Sequence, residues 1–497
     1  MNFNKGDVIS LSSDTSSIES LSLFLPNGDK AIETNNLMRF SPDNVITNSP
    51  VTFPTNNFLT YNIPENGEYI IQINLENQST DTNGNYDLNV VASRPGYEIK
   101  PGTKSIIYLD FSGEKIDTEI FKMLSPSARE LFDIPTDTSF EFKGLEHFLQ
   151  EFEIENSKNN LTKLAYKITN QVKKQFNNAN LAVPNPDFNV TFISDFGNPF
   201  LGKYIPKLLD KFNIDYNTVF IGGVDNDIQV NDVSRLFNFA LGFTFDYDPG
   251  NFSNTDTAFI SINALLNRDS IGNTIQEVEL AENAIFEDFL ALNFATTISH
   301  EIGHFLGLLH TRPNSSTFSI MDVSASFKRS AGVINEQQFG DPANVFPSFE
   351  PGIFVANEST QGTNLVDFNL TSVLGFKKPN TGAKLVLDEQ GNAIQEIEQM
   401  EQKLVTSLDN SSLSSDFTIY TDIRALNKTI NISFNQNIEG DINVAFYDMK
   451  GSRVFQKAYT NRNTISIIPS SFGIIGGAYV CRVISENKIR TEKLIIE

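Results

Sequence analysis

The sequence predicts a multidomain chain in which an α/β (α+β) domain with a twisted mixed sheet lies between two β-sandwich modules. Three observations predict it. Short apolar or alternating runs separated by turn residues fill roughly the first 95 positions and return from 417 onward. Between them, strand-like runs alternate with long helical patterns, the mark of a layered α/β or α+β domain. The 497 residues also exceed one typical domain. The expected boundaries are 1–95, 96–350, a connecting region at 351–416, and 417–497.

In the first segment DVISLSS, SLSLFLP, FLTYNIP, GEYIIQINL and NYDLNVVA read as strands, with PENG and DTNGN at turns. From SIIYLDFSG (105–113) the texture changes. Helical segments are expected around 142–178, where EHFLQEFEIE and LTKLAYKITNQVKKQF place apolar residues on one face. Strands are expected at FNVTFISD (188–195), NTVFIGGV (217–224) and TAFISINAL (257–265). IQEIEQMEQKLVTSL (394–408) reads as a short helix and NSSLSSD (410–416) as a linker. The tail returns to strand period in TINISFN, INVAFYD, TISIIP and AYVCRVIS.

Composition narrows the function classes. Sixty-one acidic residues against 37 Lys and Arg leave a formal net charge of -24, which argues against nucleic acid or an anionic membrane as the main partner. The one cysteine, Cys481, excludes an intrachain disulfide, and its apolar strand setting predicts burial. No apolar run reaches the ~18 residues of a membrane span. The start, MNFNKGDVISLSS, lacks the basic-then-apolar pattern of a signal peptide, so an exported form is expected to have had it removed. The 42 phenylalanines read as core filling.

The chemistry concentrates in ISHEIGHFLGLLHT (298–311). His300 and His304 are four apart, so on a helix both project from one face and can grip a single ion. Glu301 stands beside the first histidine, where a base for a bound water belongs. Gly307 lets the chain leave the helix, and His310 can return as a third ligand. Three protein ligands plus an open position is the pattern of catalytic zinc. Three of the four histidines fall in this motif, and His147 reads as an ordinary surface or partly buried residue. Two acidic runs are weaker calcium candidates: GVDNDIQ with Asp225 and Asp227, and FDYDPG with Asp246 and Asp248. Neither completes a calcium-loop motif, and solvated turn acids are the alternative reading.

HEIGHFLGLLH resembles the extended H-E-x-x-H-x-x-G-x-x-H signature of the metzincin metallopeptidases at every fixed position. The resemblance implies zinc held by His300, His304 and His310, Glu301 as general base, and a protein or peptide substrate. FSIMD (318–322) is similar to the family's methionine turn, which implies that Met321 supports the site by packing. Where some branches place a tyrosine two residues later, this chain has Val323. The resemblance further implies that substrate lies as an added strand at a sheet edge, for which TAFISI (257–262) is the candidate. The first 95 residues resemble the pre-peptidase-type sandwiches of secreted bacterial proteases.

INVAFYDMKGSRVF (442–455), GIIGGAYVCRVISENKI (473–489) and TEKLIIE (491–497) resemble the carboxy-terminal sorting domain of the type IX secretion system of Bacteroidetes. That implies a secreted or surface-associated bacterial protein whose partners include the secretion machinery. A monomer is expected. The competing reading is an adhesion or protein-binding chain with a vestigial or very narrow metalloprotease domain. Glu301 opposes it, because a purely structural zinc has no chemical need of a carboxylate there.

Overall fold

Apolar runs at strand period form the amino-terminal sheets, with Val8–Ser13 buried along its whole length and Ile70–Leu75 alternating between more and less exposed positions. A computed structural model describes most of residues 1–93, 105–354 and 417–496; the longest stretches outside the description are 36–56, 124–137, 178–189 and 365–416. The expected helix at 394–408 and linker at 410–416, together with Asp227 and Asp246, therefore lie outside the described residues. The chain divides into two compact units, Met1–Val405 and Thr406–Glu497. The first eight strands are β1 (Asn2–Phe3), β2 (Val8–Ser13), β3 (Ile18–Phe24), β4 (Lys30–Asn35), β5 (Asn57–Asn62), β6 (Gly67–Glu68), β7 (Ile70–Leu75) and β8 (Asn89–Ser93). They make two three-stranded antiparallel sheets, ordered β5-β2-β8 and β4-β3-β7, and a β1-β6 ribbon. Ile9, Leu11 and Leu59 from one sheet share a core with Leu21, Leu23 and Ile32 from the other. Leu309 and Phe354, from much later in the chain, belong to that same core.

The central sheet contains β9 (Ser105–Asp110), β10 (Gly113–Asp117), β11 (Ser139–Gly144), β12 (Val190–Ser194), β13 (Asn217–Gly223), β14 (Gly242–Thr244) and β15 (Thr257–Ser261). β12, β9, β13 and β15 run parallel in that spatial order, and β14 closes the row antiparallel to β15. The β10-β11 hairpin pairs with the far end of β13 through Lys143 and Gly144. TAFISI is therefore not the edge: β15 is paired on both sides, and among the described residues the edge strand is β14. Three residues, GFT, are too few for a periodic signal to reveal. A second correction concerns 139–152, where the start of the expected helical region is strand β11 followed by two 3₁₀ turns, Leu145–Phe148 and Gln150–Phe152. Phe140 and Phe142 are buried on one face of that strand at period 2, and this burial outweighs the helical spacing further on.

The helices are α1 (Lys158–Asn177), α2 (Pro199–Lys211), α3 (Val233–Phe239), α4 (Ile262–Leu266), α5 (Phe286–Phe305) and α6 (Phe327–Ser330). α1 is amphipathic: Leu161, Leu164, Ala165, Ile168, Val172 and Phe176 are buried against α5 and the sheet face carrying Ile107 and Leu109. α2 starts at Asn198, whose side chain accepts from Phe200 N at 3.0 Å, with Pro199 at the first helical position. It packs on the other face with Ile106, Tyr108 and Ile193. α5 is apolar nearly all round, as a fully enclosed helix must be. Two of its buried polar side chains tie it to its neighbours: buried Gln175 of α1 donates to Thr296 Oγ1 at 2.9 Å and accepts from Ser299 Oγ at 2.7 Å, and Thr296 donates to Ser330 O at 2.8 Å. α1, α5 and α6 are thus locked together beside His300. No helix among the described residues is long and apolar enough to cross a membrane.

In the carboxy-terminal unit, β18 (Phe417–Asp422), β19 (Thr429–Asp448), β20 (Arg453–Ile467), β21 (Gly477–Ser485) and β22 (Lys488–Ile496) form one five-stranded antiparallel sheet. The remaining strands, β16 (Gly352–Ile353) and β17 (Thr363–Asn364), pair as a short ribbon in the first unit. Register shifts at Ser433/Ile438 and Ile438/Asp441 divide β19, whose first part pairs β18 and whose later part pairs β21, while β20 follows both. Ile430, Ile432, Val444, Phe446 and Cys481 meet in one core, and Cys481 is fully buried as expected.

Asp110 and Asp195, at the ends of β9 and β12, are both buried, and Ser112 N donates to both, at 2.9 and 3.1 Å. Burial, then the mutual repulsion of the two charges, raises Asp110 well above the usual carboxylate range, and burial likewise raises Asp195. Asp110 lines a cavity of about 660 Å³ between α2 and the β10-β11 hairpin, on the face of the sheet away from α5. Folded pKa values above the unfolded one mean that the native state holds protons the unfolded chain has released. The associated stability is complete below about pH 3.9 and is lost as pH rises through the folded values. Denaturant unfolding of wild type and Asp110→Asn across this range should show a flatter pH dependence in the variant, and parallel curves would contradict the coupling.

Candidate metal centre

α5 carries the first two histidines one turn apart and then stops. Gly307, at φ 75°, takes the left-handed conformation after the last helical turn. Gly307 N donates to His304 O at 2.9 Å and Leu308 N to Gly303 O at 2.9 Å, the paired bonds of a Schellman stop. The chain then reverses, and His310 returns to the helix. The ring centroids of His300, His304 and His310 lie 5.0, 4.9 and 4.7 Å apart. Their candidate ligand atoms all fall within 4.8 Å of one another, the one such His, Cys or carboxylate group among the described residues.

Two ring orientations are fixed by backbone carbonyls. His300 Nδ1 lies 2.7 Å from Ile320 O, and His304 Nδ1 lies 2.8 Å from Leu308 O. A carbonyl only accepts, so each Nδ1 carries the proton and each Nε2 keeps its lone pair for an ion. Burial, and then the neighbouring His310, pull His300 down to about 3, so this imidazole is neutral throughout the physiological range. Neutral, pre-oriented imidazole nitrogens with a further position open are a donor set that fits zinc.

Glu301 is buried, and burial pushes its carboxyl up to about 8 in the metal-free protein. A dication alongside would favour the charged form. Its carboxylate packs on the edge strand at Gly242, where an added Cβ would lie 2.6 Å from Glu301 Oε1. Glycine at this place lets β14 run directly over the carboxylate. Beneath the helix, fully buried Met321 packs its thioether against Gly303. The turn holding Met321 is tied to the strand after His310: Thr311 N donates to Met321 O at 2.7 Å and Val323 N to Thr311 O at 2.9 Å.

Sequence reasoning missed Asp322. Its Oδ1 accepts from Thr311 Oγ1 at 2.8 Å, and its Oδ2 accepts from Ser319 N at 3.2 Å and Arg329 Nη2 at 3.1 Å. Burial raises this carboxyl, and those hydrogen bonds oppose the rise. The position of Asp322 next to Met321 was a signal, but its partners are set by the fold. The calcium candidates are not brought together among the described residues. Asp225 lies 2.7 Å from His147 Nε2 and 3.9 Å from Lys143 Nζ. His147 is half-exposed, as expected. Asp248 is buried and accepts from Ser253 N at 2.7 Å, and its own N–H donates to His304 O at 3.2 Å. It braces the loop against α5.

Residues 426–497 match the family model of the secretion system C-terminal sorting domain. No curated protein matches the chain. Among solved structures, the chain is similar to a DUF3244 family protein with an immunoglobulin-like β-sandwich fold from Bacteroides vulgatus, at 18% identity over 18% of this chain and 87% of that one, with a TM-score of 0.15. It is also similar to wild type OgpA from Akkermansia muciniphila, at 9% identity over 67% of this chain and 83% of that one, with a TM-score of 0.18. Values this low establish no shared fold. The chain therefore combines a three-histidine cluster able to hold a metal ion with a secretion sorting domain.

The Met321–Gly303 contact leaves no room for a methyl group. A Cβ at position 303 would press on Met321 Sδ and Cε. Gly303→Ala should cost about 1–3 kcal/mol in thermal or denaturant unfolding through overpacking. An unchanged melting temperature would show that the turn is not packed on the helix.

Proposed function

We propose that this chain is a secreted zinc-dependent endopeptidase of metzincin type, with His300, His304 and His310 as metal ligands and Glu301 as general base. The observation that carries the reading is the buried Glu301 carboxylate, placed beside three converging histidines and under the edge of the sheet. When bound, zinc supplies a Lewis acid that acidifies a water and polarises the substrate carbonyl. Glu301 takes the proton from that water and delivers it to the departing amine nitrogen. His300 and His304 are held in a fixed tautomer by Ile320 and Leu308, so the ligands need no rearrangement to receive the ion.

The order of strands in the central sheet supports an extended polypeptide as substrate. β14 ends the sheet and lies over Glu301, so a peptide paired to its outer edge would pass its carbonyls beside the base. This role moves from 257–262 to Gly242–Thr244. The sorting domain at 426–497 supports delivery to the cell surface or beyond by the type IX machinery.

Zinc-loaded protein should cleave quenched-fluorescent peptides, stop on chelation and resume when zinc is returned. Glu301→Gln should keep stoichiometric zinc and lose roughly 10²–10⁴-fold in kcat/KM. Wild-type rates in that variant would remove Glu301 from the role of base. A zinc-loaded wild type inert toward every peptide would favour the binding reading instead.

A further inference from the structure

The three histidines are not held alike. His300 and His304 sit on an enclosed helix, whereas His310 sits on a short extended segment beyond the helix stop. Its two neighbours are buried, Leu309 at 4% exposure and Thr311 at 0%, and they are anchored in different places. Leu309 enters the apolar core of the amino-terminal sheets, with Phe3, Ile9, Tyr61, Ile63 and Tyr69. Thr311 bridges the methionine turn at Asp322 on one side and Phe354 on the other, and Phe354 is again part of the amino-terminal core. Arg312 N extends this pairing to Ile353 O at 2.8 Å. The hydroxyl of Thr311 adds the bond to Asp322, which Arg329 and Ser319 N hold from the far side.

We propose that the amino-terminal β-sheets are a positioning module for the third metal ligand, acting on His310 through Leu309 and Phe354, with the Thr311–Asp322 hydrogen bond as the opposing anchor. The inference rests on the metal-centre reading above and extends it to residues some 300 positions away in sequence. The physical basis is chain connectivity: Leu309 and Thr311 are bonded directly to His310 on either side, and both are buried and anchored. Fixing both neighbours therefore fixes the ring between them without touching it. The amino-terminal module is then part of the centre and cannot be regarded as a detachable attachment. Leu309, Thr311, Asp322 and Phe354 are positioning residues.

The test uses the full chain, with zinc affinity measured by competition with a chromophoric chelator and ligand geometry read from the visible spectrum of the cobalt-substituted protein. Leu309→Ala and Thr311→Val should each weaken zinc binding about 10–100-fold, the range for lost outer-shell support, and should alter the cobalt bands. The conservative variants Leu309→Met and Thr311→Ser should restore both readouts. Ile205→Ala, in the separate core under α2, provides the control: it should lower thermal stability while leaving zinc affinity within about twofold, since sites that share no packing act independently. Wild-type affinity and spectrum in a folded Leu309→Ala overturn the positioning role, as does an Ile205→Ala that weakens zinc equally. Should Leu309→Ala not fold, Phe354→Leu replaces it, with the same expected weakening and the same contrary result. A wild type that takes up no zinc, or a His310→Ala that binds as tightly, overturns the metal-centre reading itself.

Discussion

Helix α5 ends in two hydrogen bonds, from Gly307 N to His304 O and from Leu308 N to Gly303 O, and most of the metal centre follows from them. The left-handed turn at Gly307 brings Leu308 O back to within 2.8 Å of His304 Nδ1, so the helix stop also orients a ring of the histidine cluster. The same reversal sends the chain toward the methionine turn, whose Ile320 O orients His300. Gly303, which accepts one of the stop's hydrogen bonds, has no Cβ and so admits Met321 beneath it. Each link is local, but together they join α5, the third-histidine segment and the turn into one rigid body.

Electrostatics divide the buried charges into two kinds. Asp322 is paired with Arg329 and accepts from Thr311 and Ser319, so its burial is offset by partners. Asp110 and Asp195 have backbone N–H donors, but burial outweighs them and raises both carboxyls, with the charge of Asp195 adding to the rise at Asp110. Glu301 is raised by burial alone. A carboxylate left so exposed to desolvation is costly to a fold, and perturbed groups of this kind concentrate where chemistry is done. Its place next to His300 in the three-histidine motif gives the cost a use.

The motif was legible because its geometry is local. A spacing of four from His300 to His304 fixes their common face on any helix, and Gly307 announces the stop whatever packs around it. Met321 followed from its distance to His310. The apolar alternation of 8–13, 18–24 and 70–75 likewise declared strands before any partner was known. Carboxylate spacing, by contrast, says nothing about neighbours: only the structure shows that Asp225 faces His147 and Lys143.

Sequence by itself determined the three-histidine motif, the carboxylate next to it, the helix that carries His300 and His304, and the strand-rich character of both ends, since each depends on residues close together in sequence. Tertiary structure alone decided that β14 and not β15 forms the sheet edge, that Asp322 clasps Thr311, and that Leu309 and Phe354 are buried in a core built by the first 75 residues. Those relations join positions tens to hundreds of residues apart. Strand order and inter-module packing are selected by the burial of whole faces at once, and no single stretch of sequence contains that information.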